Sequence, residues 1–201
     1  MSELSKKKII GITGSIGAGK SKVAAYLRQT YPVLDCDKVN AQLLKKGNEG
    51  YKALRFLGWV PTLENQEIDK KGMAQAMFQS PEKKAAVEAI LHPLIQKAME
   101  QWIQKQSTSL IFIEVPLLFE SHTEAFFDSI WCVVTSKEVA LSRLETYRNF
   151  TEAEAKARMR AQMDPEQKKK RSNIVLVNDT TPQALYKQIQ RALKKEGETF
   201  E

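Results

Sequence analysis

Short, almost wholly apolar runs alternate along this chain with longer stretches in which apolar side chains recur every three or four residues. Lys8-Ile9-Ile10-Gly11-Ile12-Thr13 is β-branched and bounded by glycine, which predicts a buried strand. Val33-Leu34-Asp35, entered through Pro32, predicts a second short strand. Ser109 to Val115, apolar until Glu114, predicts a third; Ile130 to Thr135 and Ile174 to Val177 predict two more. Helical spacing is found over Lys20 to Thr30, where Val23, Ala24 and Leu27 share a face, and over Lys137 to Arg148, Thr151 to Gln162 and Pro182 to Lys195. Strands apolar throughout, separated by helices, indicate an α/β fold with a five-stranded parallel sheet covered on both faces.

Two intervals are too long to be simple crossovers between neighbouring strands. The first, 38–108, is a helical block with breaks near Gly47, Gly58–Pro61 and Ser80–Pro81. Ser80-Pro81 has the form of a helix start, a serine cap with proline in the first turn. Further along that helix His92 precedes Pro93, which predicts a kink or break there. The second interval, 149–172, is short, helical and basic. Both read as excursions from the sheet, and the tail 196–201 reads as frayed.

Gly14-Ser15-Ile16-Gly17-Ala18-Gly19-Lys20-Ser21 matches GxxxxGKS in full, directly after the first strand and directly before the first helix. Glycine lets the backbone turn so that successive N–H groups point inward at phosphate oxygens. The helix that follows adds the partial positive charge of its N-terminus. Lys20 is placed to reach the β- and γ-phosphates, and the Ser21 hydroxyl to ligate Mg²⁺. GTPases, motors and small-molecule kinases share such a loop. No NKxD guanine-reading motif is present; Asn178-Asp179 has the wrong spacing. A compact chain with an inserted helical block and a late basic segment suits a kinase of a small acceptor, the block holding the acceptor and the basic segment closing over the phosphates.

The remaining candidates follow from where charge falls on this frame. Asp35 and Asp37 sit at the end of the second strand, and the carboxyl ends of parallel strands line the ligand crevice. Transfer to a hydroxyl needs a carboxylate to accept or orient its proton; either Asp also suits the cap of the next helix. Glu114, ending the third strand, suits support of Mg²⁺ through water or a solvated strand end. From Arg143 to Arg171 nine basic residues accompany five acids. Arginine suits phosphate clamping, whereas Lys168-Lys169-Lys170-Arg171 reads as mostly solvent-facing. Taken alone, His92 reads as structural and Glu120 as a surface or capping residue.

Composition narrows the class without changing this picture. The 201 residues are 42% apolar and 27% charged, ordinary for a globular chain that buries a sizeable core. No apolar run reaches the roughly 18 residues needed to span a bilayer, and the polar, basic first eight residues lack the apolar core of a signal peptide. Two cysteines, Cys36 and Cys132, in no CxxC pair, point to a reduced, cytoplasmic compartment. Thirty-one basic residues against 24 acidic ones, a formal +7, attract polyanions without saying which. A nucleic-acid-stimulated ATPase therefore stays open as an alternative, as does a kinase of a nucleotide or nucleoside, although no nucleic-acid module is recognisable.

An ordered series of segments resembles the dephospho-CoA kinase family over about 8–195. It comprises Gly11 to Ser21, Asp35-Cys36-Asp37, Leu91-His92-Pro93, Val115-Pro116-Leu117-Leu118-Phe119-Glu120, then Arg143, Arg148, Gln162 and Asn178. The resemblance implies a three-layer P-loop kinase fold forming one domain, 1–201. Its core would be about 6–37, 109–148 and 173–195, with a helical acceptor-binding insertion about 38–108 and a lid about 149–172. It implies transfer of the ATP γ-phosphoryl group to the ribose 3′-hydroxyl of dephospho-CoA, with Mg²⁺, in the last step of coenzyme A synthesis. No nucleic acid, membrane or obligate protein partner is implied. Asp37 then resembles the carboxylate that activates the acceptor hydroxyl, with Lys20, Arg143 and Arg148 as the other catalytic groups. Gly14, Ser15, Ile16, Gly17, Ala18, Gly19, Lys20, Ser21 and Asn178 fall to ATP, Asn178 beside the adenine, and Asp35, Asp37, His92 and Glu120 to the acceptor. Departures from the family pattern are Cys36 for alanine, Lys70 for arginine, Ser172-Asn173 for Ala-Asp, and Thr180 for glycine after Asn178-Asp179.

Overall fold

The computed structural model describes residues 7–198. At its centre β1 (Lys8–Gly14) pairs in parallel with β3 (Leu110–Glu114) and β4 (Ser129–Val134), and β4 with β5 (Ile174–Val177); with β2 (Val33–Asp35) outermost beside β3, the order is β2-β3-β1-β4-β5. The predicted α/β sheet is thus present, with strand ends shifted by at most one residue. Because chain direction reverses its progress across the sheet on either side of β1, the crevice beyond the carboxyl end of β1 is where such a fold takes its ligand.

Alternation on the strands builds the two faces. Ile10 and Ile12 join Phe112, Trp131, Val133 and Leu176 on one face. There α1 (Lys20–Leu27) and α9 (Pro182–Lys195) lay down Val23, Leu27, Leu185, Ile189 and Leu193. Each such side chain taken from water contributes about 1.5–3 kcal/mol. On the other face Leu118, Phe119 and Ile130 pack with Phe127 and Met163. Gly11 has no side chain because none fits: a Cβ there would lie 2.8 Å from Leu118 and 3.0 Å from Phe127. The outer edge of β5 exposes Val175 and Val177. Gln188 of α9 covers it, its carboxamide accepting from the Val177 N–H (2.9 Å) and donating to the Val177 carbonyl (2.8 Å), much as another strand would.

The chain divides into two compact units, 35–106 being the second. It holds α2 (Cys36–Leu43), α3 (Glu49–Arg55), α4 (Lys70–Gln79) and the long α5 (Pro81–Gln104), against which the other three pack. Leu44, Leu54, Val60, Ile68, Met73, Val87 and Leu91 form its core. Ser80 caps α5 as its sequence predicts, accepting from the Lys83 N–H at 3.2 Å. Of the kink or break expected at Pro93, the break does not occur; α5 runs through it. Pro93 removes the N–H that would meet the Ala89 carbonyl, yet Ala89, His92 and Pro93 all face outward, while Val87 and Leu91 before and Met99 after stay buried. Packing on the inner side holds both halves in one helix.

After β4 come α6 (Lys137–Arg148), α7 (Glu152–Arg160) and α8 (Pro165–Lys170). Periodicity points to α6 and α7 but not to α8, a single basic run capped by Asp164 and opened by Pro165. The tail was expected to fray from Glu196; residues 199–201 and the first six lie outside the described residues, but Glu196 itself is fixed. Its carboxylate pairs with Lys8 at 2.7 Å and accepts from Ser129 Oγ at 2.6 Å and Trp131 Nε1 at 2.9 Å. Burial pushes this carboxyl up, but those bonds and the Lys8 charge outweigh it and hold it below the usual range.

A folded-state value below the unfolded one means that Glu196 stabilises fully above about pH 4.3 and that this is lost as pH falls through the lower value. Glu196→Ala is therefore expected to cost about 1–3 kcal/mol at pH 7, with the difference from the parent narrowing steadily below pH 4. Urea denaturation across that range checks both the size and the sign.

Candidate active site

The phosphate loop leaves β1 at Gly14 and enters α1 at Gly19. Gly14 has φ +146°, and a Cβ there would strike the Val133 carbonyl. Gly19 has φ +93°, and a Cβ there would strike the Asn178 carboxamide. Gly19 is the cap residue of α1 but supplies no side-chain acceptor, the arrangement in which a helix N-terminus can offer N–H groups to an anion. Ser21 is exposed at this point.

A loop presenting its N–H groups must be held by its carbonyls. Asn178, buried at 3% exposure, donates from Nδ2 to the Ala18 carbonyl at 2.8 Å. Arg143 from α6 donates to the Asn178 carbonyl at 2.8 Å, the Gly17 carbonyl at 3.3 Å and the Thr135 hydroxyl at 3.4 Å. Asp179 closes the brace, accepting from the Thr135 hydroxyl (2.5 Å) and the Ser136 N–H (2.7 Å). Those two bonds hold its carboxyl below the usual range. The carboxyl ends of β4 and β5 are thereby stitched to each other and to the loop. The bracing role of Thr135 and Asp179 was not read from sequence; the only signal was a carboxylate directly after Asn178.

On the other limb of the loop the Lys20 ammonium donates to the Gly14 and Ser15 carbonyls at 2.9 and 3.1 Å. The Ile16 N–H donates to Gln162 Oε1 at 2.8 Å. Beside this limb lies a cavity of about 480 Å³ lined by Ser15, Lys137, Lys156, Arg160 and Gln162 among others. The Ser15 hydroxyl is buried there with no partner among the described residues.

Glu114, 9% exposed, ends β3 opposite Ile12. Glu120 is committed within this unit. Its Oε1 pairs with Lys168 at 2.7 Å and accepts from the Met163 N–H at 3.0 Å. Burial raises its carboxyl, and the Lys168 and Met163 bonds outweigh that and leave it lowered. Lys168 is fully buried, the exception in a 168–171 run expected to face mostly solvent: the lysine stem threads beneath α8 to a carboxylate, and a buried ammonium requires one. Arg171 stacks 4.7 Å over Phe119 and pairs with Glu124. Arg158 stacks over Phe150, and Lys156 pairs with Glu152. Arg148 and Arg160 are exposed and make no hydrogen bond or ion pair among the described residues.

The helical unit carries the other candidates. Asp35 is the cap of α2, its Oδ1 accepting from the Lys38 N–H at 3.1 Å. Asp37 stands exposed on the first turn of α2, and His92 is exposed on α5. Cys36 points inward, its sulfur 3.5 Å from that of Met99. No group of three or more metal-ligating His, Cys, Asp or Glu exists among the described residues.

Comparison with known proteins agrees over nearly the whole length. The dephospho-CoA kinase family model matches residues 8–184. A dephospho-CoA kinase of Staphylococcus aureus (strain bovine RF122 / ET3-1) is 34% identical, with 94% of each chain covered. One from Enterococcus faecalis (strain ATCC 700802 / V583) is 32% identical, covering 94% of this chain and 97% of that one. The crystal structure of TT1252 from Thermus thermophilus superposes with a TM-score of 0.89 at 33% identity, covering 97% of this chain and 100% of that one.

Asn178→Ala removes the donor to Ala18 and is expected to weaken ATP binding about tenfold, the loss of one buried hydrogen bond, at unchanged helix content; calorimetric titration and circular dichroism check it. Lys168→Met leaves Glu120 without its counter-ion and is expected to cost about 3–5 kcal/mol of stability, read by denaturant midpoint.

Proposed function

The chain belongs to the dephospho-CoA kinase family, and we propose that it carries out the family's reaction with Asp37 as the activating carboxylate and the Gly14–Ser21 loop as the holder of ATP. The reaction moves the γ-phosphoryl group of ATP to the ribose 3′-hydroxyl of dephospho-CoA, the last step of coenzyme A synthesis, leaving ADP. The observation that carries the residue assignment is the loop itself: glycines at positive φ leading into α1, with the Gly17 and Ala18 carbonyls held by Arg143 and Asn178.

Each group has a defined task. The loop amides and the α1 N-terminus take the charge of the phosphates. The Lys20 ammonium leaves the Gly14 and Ser15 carbonyls for phosphate oxygens, a short movement of a flexible stem. Asp37 accepts or orients the proton of the attacking hydroxyl, while Asp35 keeps the first turn of α2, and so Asp37, in place. His92 contributes to acceptor binding. Glu120 acts on the acceptor side through position, fixing α8 from beneath by Lys168. The 149–172 segment closes as a lid, with the uncommitted Arg148 and Arg160 supplying charge as the transferring group becomes more exposed in the transition state. No covalent enzyme intermediate is needed; positioning and electrostatics suffice.

The donor set fits Mg²⁺ in the manner usual for ATP enzymes, which use one or two protein oxygens with phosphate oxygens and water rather than a protein cage. Ser21 would hold the ion, with Glu114 supporting it through water, and the ion would supply charge neutralisation at the β- and γ-oxygens. Neither Cys36 nor Cys132 forms a disulfide among the described residues, and both are buried, which supports a reduced, cytoplasmic location. No helix among the described residues is long and apolar enough to cross a membrane.

With MgATP, ADP release is expected with dephospho-CoA and not with AMP, adenosine or no acceptor, the product gaining one phosphoryl group by mass. Transfer to another acceptor alone overturns the assignment. Asp37→Ala is expected to lower kcat by about 10²–10⁴-fold with ATP binding unchanged, whereas Lys20→Ala loses ATP affinity and turnover together. Stopped assays paired with nucleotide titrations separate the two.

A further inference from the structure

We propose that Gln162 is a positioning residue that reads the terminal phosphate of the nucleotide, holding its place in the loop when the phosphate is absent and bonding to it when present. The proposal rests on the reading of Gly14–Ser21 as the ATP loop and goes beyond it, since it asks how the enzyme distinguishes a triphosphate from a diphosphate.

The argument begins with which part of the loop is occupied. The amides nearest α1 cradle the inner phosphates, and the loop lysine reaches outward to the β- and γ-phosphates. In this structure the Lys20 ammonium lies on the Gly14 and Ser15 carbonyls, 2.9 and 3.1 Å away. That limb is therefore the outer end of the loop, where the terminal phosphate arrives. The next amide on it is Ile16 N–H, and it is taken by the Gln162 side-chain oxygen at 2.8 Å. A neutral carbonyl oxygen thus stands where an anionic phosphate oxygen would make a stronger, charge-assisted bond.

Gln162 reaches this amide from the link between α7 and α8. That link is tethered on its α8 side. The neighbouring Met163 N–H is fixed to Glu120 at 3.0 Å, and α8 is fixed through buried Lys168 to the same carboxylate. The backbone beneath Gln162 is therefore held while its side chain spans to the loop. Rotation of the carboxamide about its last torsion exchanges the carbonyl for the NH₂ group at one spot. An incoming γ-oxygen takes the Ile16 N–H, and the same side chain then donates to that oxygen. Lys156 and Arg160, on α7 just before the link, line the same cavity as Gln162 and Ser15, so the switch occurs in a cationic setting. A diphosphate leaves the Ile16–Gln162 bond intact.

Two variants divide the two states. Gln162→Glu keeps an acceptor for Ile16 but cannot donate and adds a negative charge at the terminal phosphate. Gln162→Ala removes both functions. Binding of ADP and of a non-hydrolysable ATP analogue, both with Mg²⁺, is measured by calorimetry on the full chain, with kcat and KM for ATP. Gln162→Glu is expected to weaken the analogue about tenfold or more while changing ADP less than about twofold, and Gln162→Ala to lower kcat about tenfold with ADP binding and melting temperature kept. The Ile16 amide resonance of the parent is expected to shift with the analogue and not with ADP. Equal losses for both nucleotides, or no loss in either variant, overturn the proposal. Lys20→Ala serves as the control. If it and the parent bind both nucleotides alike, the loop reading itself fails; if it loses both while the Gln162 variants stay at parent affinities, the loop stands and Gln162 is merely structural.

Discussion

A loop that offers backbone N–H groups to an anion has few of them left to hold its own shape; here the Ala18 N–H, bonded to the Ser15 carbonyl at 3.2 Å, is one that does. That constraint organises the first unit. The loop is held mainly by its carbonyls: two donors come from far along the chain, Asn178 on Ala18 and Arg143 on Gly17, and one from the loop's own end, Lys20 on Gly14 and Ser15. Those donors have to be held in turn, which is why Thr135, Ser136 and Asp179 tie the carboxyl ends of β4 and β5 together. Gly19 lacks a Cβ for the same reason, since the Asn178 carboxamide occupies the space where one would stand. The parallel sheet is what allows this economy of parts. It brings residues more than a hundred positions apart to one edge, so that a brace need be only one side chain long.

The parts legible in the sequence were those set by burial and by local stereochemistry. Strands hidden on both faces are apolar throughout, so their runs mark them; Ser80-Pro81 and the glycines of the loop state their backbone requirements directly. What was not legible depended on partners distant in sequence. Lys168 carries no local sign of burial among three other cations, because its need for Glu120 is met 48 residues away. Glu196 reads as tail until Lys8, Ser129 and Trp131 converge on it. Pro93 does carry a local sign, and the local rule was overruled: the outward face tolerates an unpaired carbonyl because water can reach it, while Val87, Leu91 and Met99 hold the inner face together.

The same contrast governs the charged residues of the site. Phosphate chemistry attracts basic side chains, and a count of nine over 143–171 invites reading all of them as phosphate ligands. The structure divides them. Arg143 is spent on the loop's carbonyls, Lys168 on a buried carboxylate, Arg158 and Arg171 on aromatic faces, Lys156 and Lys169 on helical neighbours. Arg148, Arg160 and Lys170 remain uncommitted among the described residues. Cations already held cannot gather charge from solvent without breaking something, and so they serve to shape the site; exposed arginines can reorganise cheaply and are the ones suited to a closing segment.

This division bears on why the departures from the family pattern are tolerable. Phosphoryl transfer asks the protein for position and charge, not for a covalent partner. A change at a position that only shapes the site can be absorbed if its neighbours keep the shape. Thr180 follows Asn178-Asp179, and there the backbone is held on the other side by Thr135 and Ser136 through the Asp179 carboxylate. Asn173 accepts the Ile130 N–H at 2.8 Å and its own N–H bonds the Ile130 carbonyl at 2.9 Å, so it registers the start of β5 against β4 by itself. Cys36 is turned into the apolar interior of its helical unit, where a small side chain of any mild polarity packs. None of these changes removes a charge from the loop, from α2's first turn or from Arg143.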